Sequence, residues 1–458
     1  MRSAKLITAT NKRIFIILLV FSVHSNISAQ ENSPYSRYGI GDLIPNQNIV
    51  SRGMGGISAA YTNPGIGDQK YITPAFLFQS INLVNPASLG GLNNTIFDIG
   101  AEVDIRTLRS TSSPAKYTAA NTVISYLQLG FPLTTEKMRR KGYSWGLSFG
   151  LRPISRINYK IEKNERLSGI DSLNTLYQGS GGLNQVNIGT GVKIKNFSIG
   201  INAGYSFGNR DYSTRLSFMN DSVIYYRSNT QAKSRFNGFF IDAGLQYSIK
   251  LKNGGILNLG AYGNLQQSLR AKKDNIDETI AFDGTGGTIT IDTVSYNKEV
   301  AGTVKLPASY GAGFTYSNSN WLFGIDFETT AWSGYRFYGQ NDATQDVWTI
   351  RAGAQYYPAK ENTAASKYWR FVKYRAGFYY GPDYIKLTES RPVYAFTAGG
   401  SFPLTSLQRL RGEYVVLNAG LEFGSRGNKQ SYSVRENFTR INIGISMNAR
   451  WFQKRSYD

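Results

Sequence analysis

The sequence predicts an all-β fold, a transmembrane antiparallel β-barrel of about 14 strands with an N-terminal hatch or plug segment. Three observations support this: alternating strands recur, short and long connections alternate between them, and the last strand ends in aromatic residues. In the clearest strand the apolar positions are Phe197, Ile199, Ile201, Ala203, Tyr205 and Phe207, and the residues between them are Ser, Gly or Asn. A strand with this two-residue period has one side suited to lipid and one small or polar side.

The connections between the predicted strands follow a regular rhythm. Lys195 and Asn196 alone join one pair, and Asn-containing turns at 252–255 and 317–320 join two others, as in β-hairpins. We expect long polar connections at 158–182, 209–234, 271–302 and 334–345. Short turns on the periplasmic side and long loops outside are typical of transmembrane barrels. The predicted strands begin near Phe97, Val123, Trp145, Val186, Phe197, Phe239, Leu257, Ala308, Trp321, Trp348, Arg370, Tyr394, Val415 and Ile441.

The N-terminus predicts export, and residues 1–29 are assigned to a signal peptide. A basic stretch at 2–13 precedes an apolar run at 14–23, and residues 27–29 offer a cleavage site. The run is too short for a transmembrane helix, which needs ~20 apolar residues. The expected location is therefore the cell outer membrane.

The residue types that the chain lacks exclude several kinds of chemistry. It has no Cys, and its one His, His24, lies in the predicted signal peptide. Ser-His-Asp and Cys-His catalysis and ordinary zinc sites are therefore excluded after export. We expect no enzyme activity, no metal and no cofactor. A carboxylate-only enzyme is the weakest alternative, based on two pairs that share a strand face: Glu102 with Asp104 and Asp326 with Glu328.

Charged residues inside the predicted strands are expected to face the lumen. An ion that faces lipid at the midplane of such a barrel costs roughly 2–4 kcal/mol. The predicted lumen charges are Asp242, Asp326, Glu328, Arg351, Lys373, Arg375, Glu422 and Arg450. The formal net charge of the chain is +21. Because the chain is exported, we attribute this charge to basic loops that face anionic headgroups or glycolipid rather than to nucleic-acid binding.

Residues 30–94 are rich in Pro, Gly and Asn and alternate weakly, so we predict that they pack inside or beneath a barrel formed by residues 95–458. Two motifs there resemble FadL-type outer-membrane transport proteins. The motifs are Arg52-Gly53-Met54-Gly55-Gly56 and Asn85-Pro86-Ala87-Ser88. The resemblance implies a fourteen-stranded barrel closed by an N-terminal hatch, with these residues shaping the hatch and the ligand route.

The final predicted strand ends in the aromatic pair Trp451 and Phe452. This ending resembles the recognition signal that outer-membrane assembly machinery reads, and we assign it as a barrel-assembly signal.

Two functions from different classes follow from the sequence. The leading hypothesis is a FadL-like channel or transporter for passive uptake of hydrophobic small molecules. The alternative is a structural, non-transporting barrel subunit of an outer-membrane secretion or assembly complex, with the aromatic segment 33–41 as a candidate docking element. Expected partners are outer-membrane lipids and glycolipid, hydrophobic small molecules, and other outer-membrane or periplasmic proteins. A continuous apolar tunnel would favour transport, whereas a lumen filled with polar side chains would favour the structural subunit.

Overall fold

The computed structural model describes residues 33–62, 79–110, 116–166, 172–219, 226–252, 254–282, 288–358, 367–404, 414–428 and 434–449. The predicted signal peptide and the predicted Arg450, Trp451 and Phe452 lie outside these residues. No helix in the described part of the chain is long and apolar enough to cross a membrane.

Eighteen strands form one sheet. In chain order they are β1 Asp42–Leu43, β2 Thr95–Ser110, β3 Lys116–Pro132, β4 Tyr143–Arg166, β5 Ser172–Ile194, β6 Phe197–Phe218, β7 Arg227–Lys250, β8 Ile256–Asn264, β9 Gln267–Phe282, β10 Thr288–Leu306, β11 Ser309–Ser317, β12 Trp321–Thr330, β13 Arg336–Phe337, β14 Val347–Tyr356, β15 Lys373–Pro382, β16 Pro392–Pro403, β17 Tyr414–Arg426 and β18 Val434–Ala449. The described residues also form six short helical segments: Pro34–Arg37, Ile49–Arg52, Pro86–Gly91, Glu136–Arg140, Trp332–Gly334 and Tyr368–Phe371.

Fourteen of these strands close into an antiparallel barrel. They are β2 to β8, β11, β12 and β14 to β18. The last strand β18 pairs with β2, and β8 pairs with β11, so the wall has no free start or end. The predicted fourteen-stranded fold is confirmed. Closure pairs the backbone groups within the protein, which spanning a membrane requires.

The inner and outer faces of the barrel wall have different surroundings, as the alternation predicts. Along β6 the exposed Ile199 and Ile201 alternate with the buried Ser198 and Asn202, and Phe239 on β7 has 80% of its surface exposed. At the end with short turns, Trp321 and Tyr356 lie with ring centroids 4.5 Å apart. That end is periplasmic because transmembrane barrels carry their short turns there.

Several strands are much longer than predicted, and the predicted long connections are wrong in large part. Strands β4 to β7 have 22 to 24 residues, and the region 271–302 forms most of the hairpin β9–β10. A tilted strand needs ~9–11 residues to cross a bilayer. The remaining residues of these strands therefore extend beyond the membrane, where both faces of a strand meet water. The alternation that identifies a lipid-facing strand in the sequence is lost there.

The inner segment, which we define as residues 33–62 and 79–94, lies inside the barrel. The backbone N–H of Gly55 donates to Thr397 of β16 at 2.9 Å. The side chain of Asn85 donates to the carbonyls of Leu245 and Ala261, on β7 and β8, at 3.2 Å each. Contacts with such distant parts of one closed wall place this segment within the lumen.

Candidate functional site

The first predicted motif, residues 52–56, is buried against the inner face of the wall. Arg52 ends the helix Ile49–Arg52, whose N-cap Asn48 accepts a hydrogen bond from the Ser51 N–H at 2.8 Å. The Arg52 guanidinium forms ion pairs with Glu102, and with Glu422 at 3.5 Å. All three side chains are buried. The helix therefore presents one cation to two carboxylates of the wall.

The second predicted motif, residues 85–88, connects the two halves of the inner segment. Asn85 caps the helix Pro86–Gly91 by accepting from the Ala87 N–H at 3.1 Å. Its amide also donates to the Ala59 carbonyl at 2.6 Å. Ser88 donates back to the Asn85 carbonyl at 2.9 Å. Asparagine suits this position because one side chain both caps a helix and bridges to other backbone groups.

A larger set of buried charges surrounds Arg52, and we call it the charge network. Its members are Asp42, Arg52, Glu102, Asp104, Arg106, Glu422, Arg426, Glu436 and Arg440. Arg440 pairs with Glu422 at 2.6 Å, and Arg106 pairs with Asp104 at 2.8 Å. The network crosses from the inner segment to β2, β17 and β18.

Asp42 ties β1 into this network. It accepts from Arg426 at 2.6 Å and from Arg106 at 2.8 Å. Burial by itself would raise the pKa of Asp42, but the two guanidinium groups outweigh it and hold that pKa below its ordinary value. Asp42 therefore stays a carboxylate between two cations.

The predicted lumen charges lie at several points of the wall. Asp326 accepts from the N–H groups of Ser58 and Ala59 at 2.5 and 2.7 Å. Glu328 pairs with Arg351 at 2.7 Å, and Asp242 lies 3.9 Å from Arg152. Lys373 and Arg375 are buried on β15, and Arg375 donates to Ser401 at 2.7 Å. Glu422 belongs to the charge network, and Arg450 lies outside the described residues.

Sequence reasoning missed several members of the network. Arg106, Arg426, Glu436 and Arg440 were not singled out, although each lies in a wall strand on the same phase as the small and polar residues. The two-residue alternation, which places these charged residues on the same face as the small and polar ones, was the signal that could have identified them. Asp42 gave no comparable signal, because its role depends on where the inner segment crosses the lumen.

An aromatic cluster closes the extracellular side above the network, and we call it the outer cluster. It includes Tyr35, Ile40, Leu183, Phe236, Trp332, Tyr335, Tyr384 and Ile385. Tyr335 donates to the Gly39 carbonyl at 3.0 Å, and the Arg391 guanidinium lies 3.3 Å from the Tyr35 ring centroid. Residues 33–41 are thus packed into the mouth of the barrel, which does not fit the predicted role of a docking element.

A cavity of about 380 Å³ lies between the outer cluster and the charge network. Apolar lining comes from Ile40, Ile154, Leu183, Leu306 and Trp332. The charged lining is extensive: Asp42, Arg52, Arg106, Arg152, Asp242, Glu328, Arg351, Asp383, Glu422, Arg426 and Arg440. The described residues hold no group of three or more His, Cys, Asp or Glu arranged for a metal ion.

The wall is incomplete between β3 and β4. These strands pair only from Leu127 to Pro132 of β3, and the upper part of β4 instead pairs with β1, with Asp42 opposite Arg156. Arg156 donates to Asn121 of β3 across the gap. A second cavity of about 30 Å³ lies there. The inner segment thus covers an opening in the side of the barrel.

Comparisons with known proteins agree with this architecture. The model of the BamG family, whose members are outer-membrane barrels, matches residues 11–458 of this chain. No curated protein matches the sequence. Among solved structures, a Pseudomonas aeruginosa FadL homologue is 12% identical with a TM-score of 0.53, and the match covers 90% of this chain and 100% of that chain.

Two further structures have the same fold. The toluene transporter TbuX of Ralstonia pickettii is 14% identical with a TM-score of 0.51, over 89% of this chain and 99% of its own. The monoaromatic hydrocarbon channel CymD is 16% identical with a TM-score of 0.51, over 90% and 100%. The resemblance to FadL-type barrels that the sequence motifs indicated is confirmed at the level of the fold.

Proposed function

The chain belongs to the BamG family of outer-membrane barrel proteins, and on that premise we propose that it is a structural, non-transporting barrel subunit of an outer-membrane secretion or assembly complex. The observation that carries the proposal is the charge network, which fastens the inner segment across the lumen. Export by the predicted signal peptide is part of the same proposal.

The charge network opposes the movement that a gate requires. Displacing the inner segment would separate Asp42 from Arg106 and Arg426, and Arg52 from Glu102. Breaking one buried ion pair costs about 3–5 kcal/mol, because it leaves an uncompensated charge. Several pairs would break together, so the inner segment is a fixed part of the barrel.

The chemistry of the cavity also favours a structural role. Sites for small hydrophobic ligands are lined mostly by apolar and aromatic side chains, with few polar groups. Here eleven of the residues that line the cavity carry a guanidinium or a carboxylate group. An apolar molecule bound there would displace water from those charged groups and would offer them no polar interactions in return.

Native gel electrophoresis of the full chain, extracted from its own membranes in mild detergent, tests the proposal. We expect it to migrate in a complex with other proteins, and we expect the purified barrel to give no ion conductance in planar bilayers. A barrel that migrates alone and conducts would contradict the proposal.

Passive uptake of hydrophobic small molecules is the second candidate, and two observations favour it. The cavity adjoins an opening between β3 and β4, and the solved structures of this fold include a toluene transporter and a hydrocarbon channel. In this mechanism the inner segment would leave the opening to let a ligand pass.

An engineered disulfide separates the two candidates. Leu43 and Ser155 are paired positions of β1 and β4, and the chain has no other cysteine. Oxidised Leu43→Cys/Ser155→Cys should leave the native complex unchanged if the barrel is structural. If the barrel transports, the oxidised variant should lose toluene uptake and regain it with reductant, while Leu43→Cys alone stays active.

A further inference from the structure

The cavity between the outer cluster and the charge network contains hydrogen-bonding groups that neither candidate function uses. Its volume of about 380 Å³ lies in the range of small-molecule sites, ~300–1,000 Å³. Every guanidinium group of its lining already has a carboxylate as ion-pair partner. The charges of the cavity wall are therefore compensated within the protein, and a ligand with a net charge gains no unpaired charge to bind.

Gln47 is the clearest of the uncommitted groups. It lies between β1 and the helix Ile49–Arg52, only 5% of its surface is exposed, and it lines the cavity. Its side-chain amide makes no hydrogen bond with any residue that the structure describes. Buried amides are nearly always hydrogen-bonded, because burial of an unpaired one is costly. The amide therefore offers an acceptor and two N–H donors to a molecule in the cavity.

A guanidinium group lies beside this amide. A Cβ built on Gly56 would lie 3.1 Å from the Arg351 Cδ and 3.5 Å from the Gln47 Cδ, so the two side chains flank one glycine. Gly56 also lines the cavity. Arg351 contacts its ion-pair partner Glu328 through Nη1 at 2.7 Å. The remaining N–H groups of Arg351 and the amide of Gln47 can therefore bind the same ligand.

A row of polar side chains crosses four neighbouring strands along the cavity wall. Asp242 of β7 is paired in register with Asn264 of β8. Asn264 is paired in turn with Ser309 of β11, and Ser309 with Thr330 of β12. All four line the cavity, and paired positions lie only ~5 Å apart. The Asp242 carboxylate accepts no hydrogen bond within the described part of the chain, and its ion-pair partner Arg152 is 3.9 Å away.

We propose that this cavity binds a neutral carbohydrate of one or two sugar rings. Each sugar hydroxyl both donates and accepts, so one molecule can satisfy the amide of Gln47, the carboxylate of Asp242 and the guanidinium of Arg351. The faces of a sugar ring carry C–H groups, which suit the apolar lining from Leu183 and Trp332. A neutral ligand also leaves the compensated charges of the wall undisturbed.

The second cavity offers a polar approach to the first. The two cavities share lining residues, among them Asp42 and Arg440. Three residues of the second lining are apolar, Leu43, Ile44 and Val123, and the other eight carry a charge or a side-chain amide. An approach lined in this way suits a sugar better than a hydrocarbon.

Equilibrium dialysis with radiolabelled glucose, galactose, mannose and trehalose tests the proposal. The full chain is held in phosphatidylcholine nanodiscs, so that no sugar-based detergent competes. We expect at least one of the four to bind with one molecule per chain. Gln47→Met removes the amide at nearly constant size and should weaken that binding ~10-fold, because a donor and an acceptor are lost.

The matched control is Gln128→Met. Gln128 is also a buried glutamine, and it lines neither cavity. The control should bind the sugar within ~2-fold of the unmodified chain, because distant sites act independently. Asp242→Asn, which keeps the shape of the side chain, is a second variant of the site and should weaken binding ~5-fold. Urea unfolding followed by Trp fluorescence verifies that each variant is folded.

Failure of all four sugars to bind would overturn the proposal, and water would then be the only occupant. Equal weakening in Gln47→Met and Gln128→Met would overturn it as well, because it would reflect a general change in the barrel. So would unchanged binding in both variants of the site. Tighter binding of glycine or of toluene than of any sugar would assign the cavity to a zwitterionic or an apolar ligand instead.

Native mass spectrometry of the chain released from its own membranes distinguishes two sources of the carbohydrate. A free sugar adds the mass of one or two hexoses, whereas the headgroup of a glycolipid brings the mass of its acyl chains as well. Either adduct supports the proposal if Gln47→Met loses it and Gln128→Met keeps it. An adduct that both variants retain would place the carbohydrate elsewhere and would contradict the proposal.

Discussion

Gly55 shows how a single residue allows the inner segment to fit the lumen. Its φ is 69°, and a Cβ there would lie 2.7 Å from the backbone carbonyl oxygens of Ala352 and Phe378. Both oxygens belong to paired wall strands and cannot move aside cheaply. The position therefore needs glycine both for its backbone angle and for its space.

We predict that Gly55→Ala destabilises the barrel more than Gly254→Ala does. Gly254 has a similar φ of 79°, but a Cβ there would meet nothing within 4 Å. Gly254→Ala should thus lower the free energy of unfolding only by the ~1 kcal/mol of an unfavourable backbone angle. Gly55→Ala should lower it by that amount and by the additional cost of the clash. Urea unfolding in detergent, followed by Trp fluorescence, measures both. Equal losses would show that the wall yields at Gly55.

At the scale of the element, strand β6 passes through two surroundings. Its first half carries Ile199 and Ile201 on the lipid side, while its second half has lost that stripe and pairs with the long extensions of β5 and β7. The sequence pattern predicts only the first half, because a face in lipid must be apolar whereas a face in water need not be. The second half is held by backbone pairing with its neighbours, which local sequence does not reveal.

We predict that the two halves of β6 differ in their tolerance of charge. Ile201 and Ser213 have the same phase on the strand. Ile201→Arg should lower the free energy of unfolding by about 2–4 kcal/mol, because it places an ion in lipid. Ser213→Arg should change it by less than ~0.5 kcal/mol, as surface substitutions do. Unfolding of both variants in lipid vesicles checks this. A large loss for Ser213→Arg would place the membrane boundary further along the strand.

At the scale of the whole molecule, the charge network links parts that are far apart in sequence. Asp42 meets Arg106 and Arg426, which are separated from it by 64 and 384 positions. In the described part of the chain, ion pairs between sequence-distant residues therefore connect the inner segment to the wall.

Acid should weaken this network. The pKa of Asp42 is lowered in the folded chain, so its contribution to stability is present above its ordinary value of 3.8 and is lost as pH falls below it. We predict that Asp42→Asn is less stable than the unmodified chain at pH 7 and that the difference shrinks by pH 3. Urea unfolding at both pH values measures it. A difference that does not depend on pH would show that Asp42 acts through packing alone.

The sequence by itself determined the barrel and its strand number, because a lipid-facing strand imposes a two-residue period that can be seen locally. The length of β4 to β7, the hairpin β9–β10 and the partners of Asp42 were decided only by the tertiary structure. Those features depend on backbone pairing in water and on ion pairs between distant residues, and neither leaves a periodic mark in the chain.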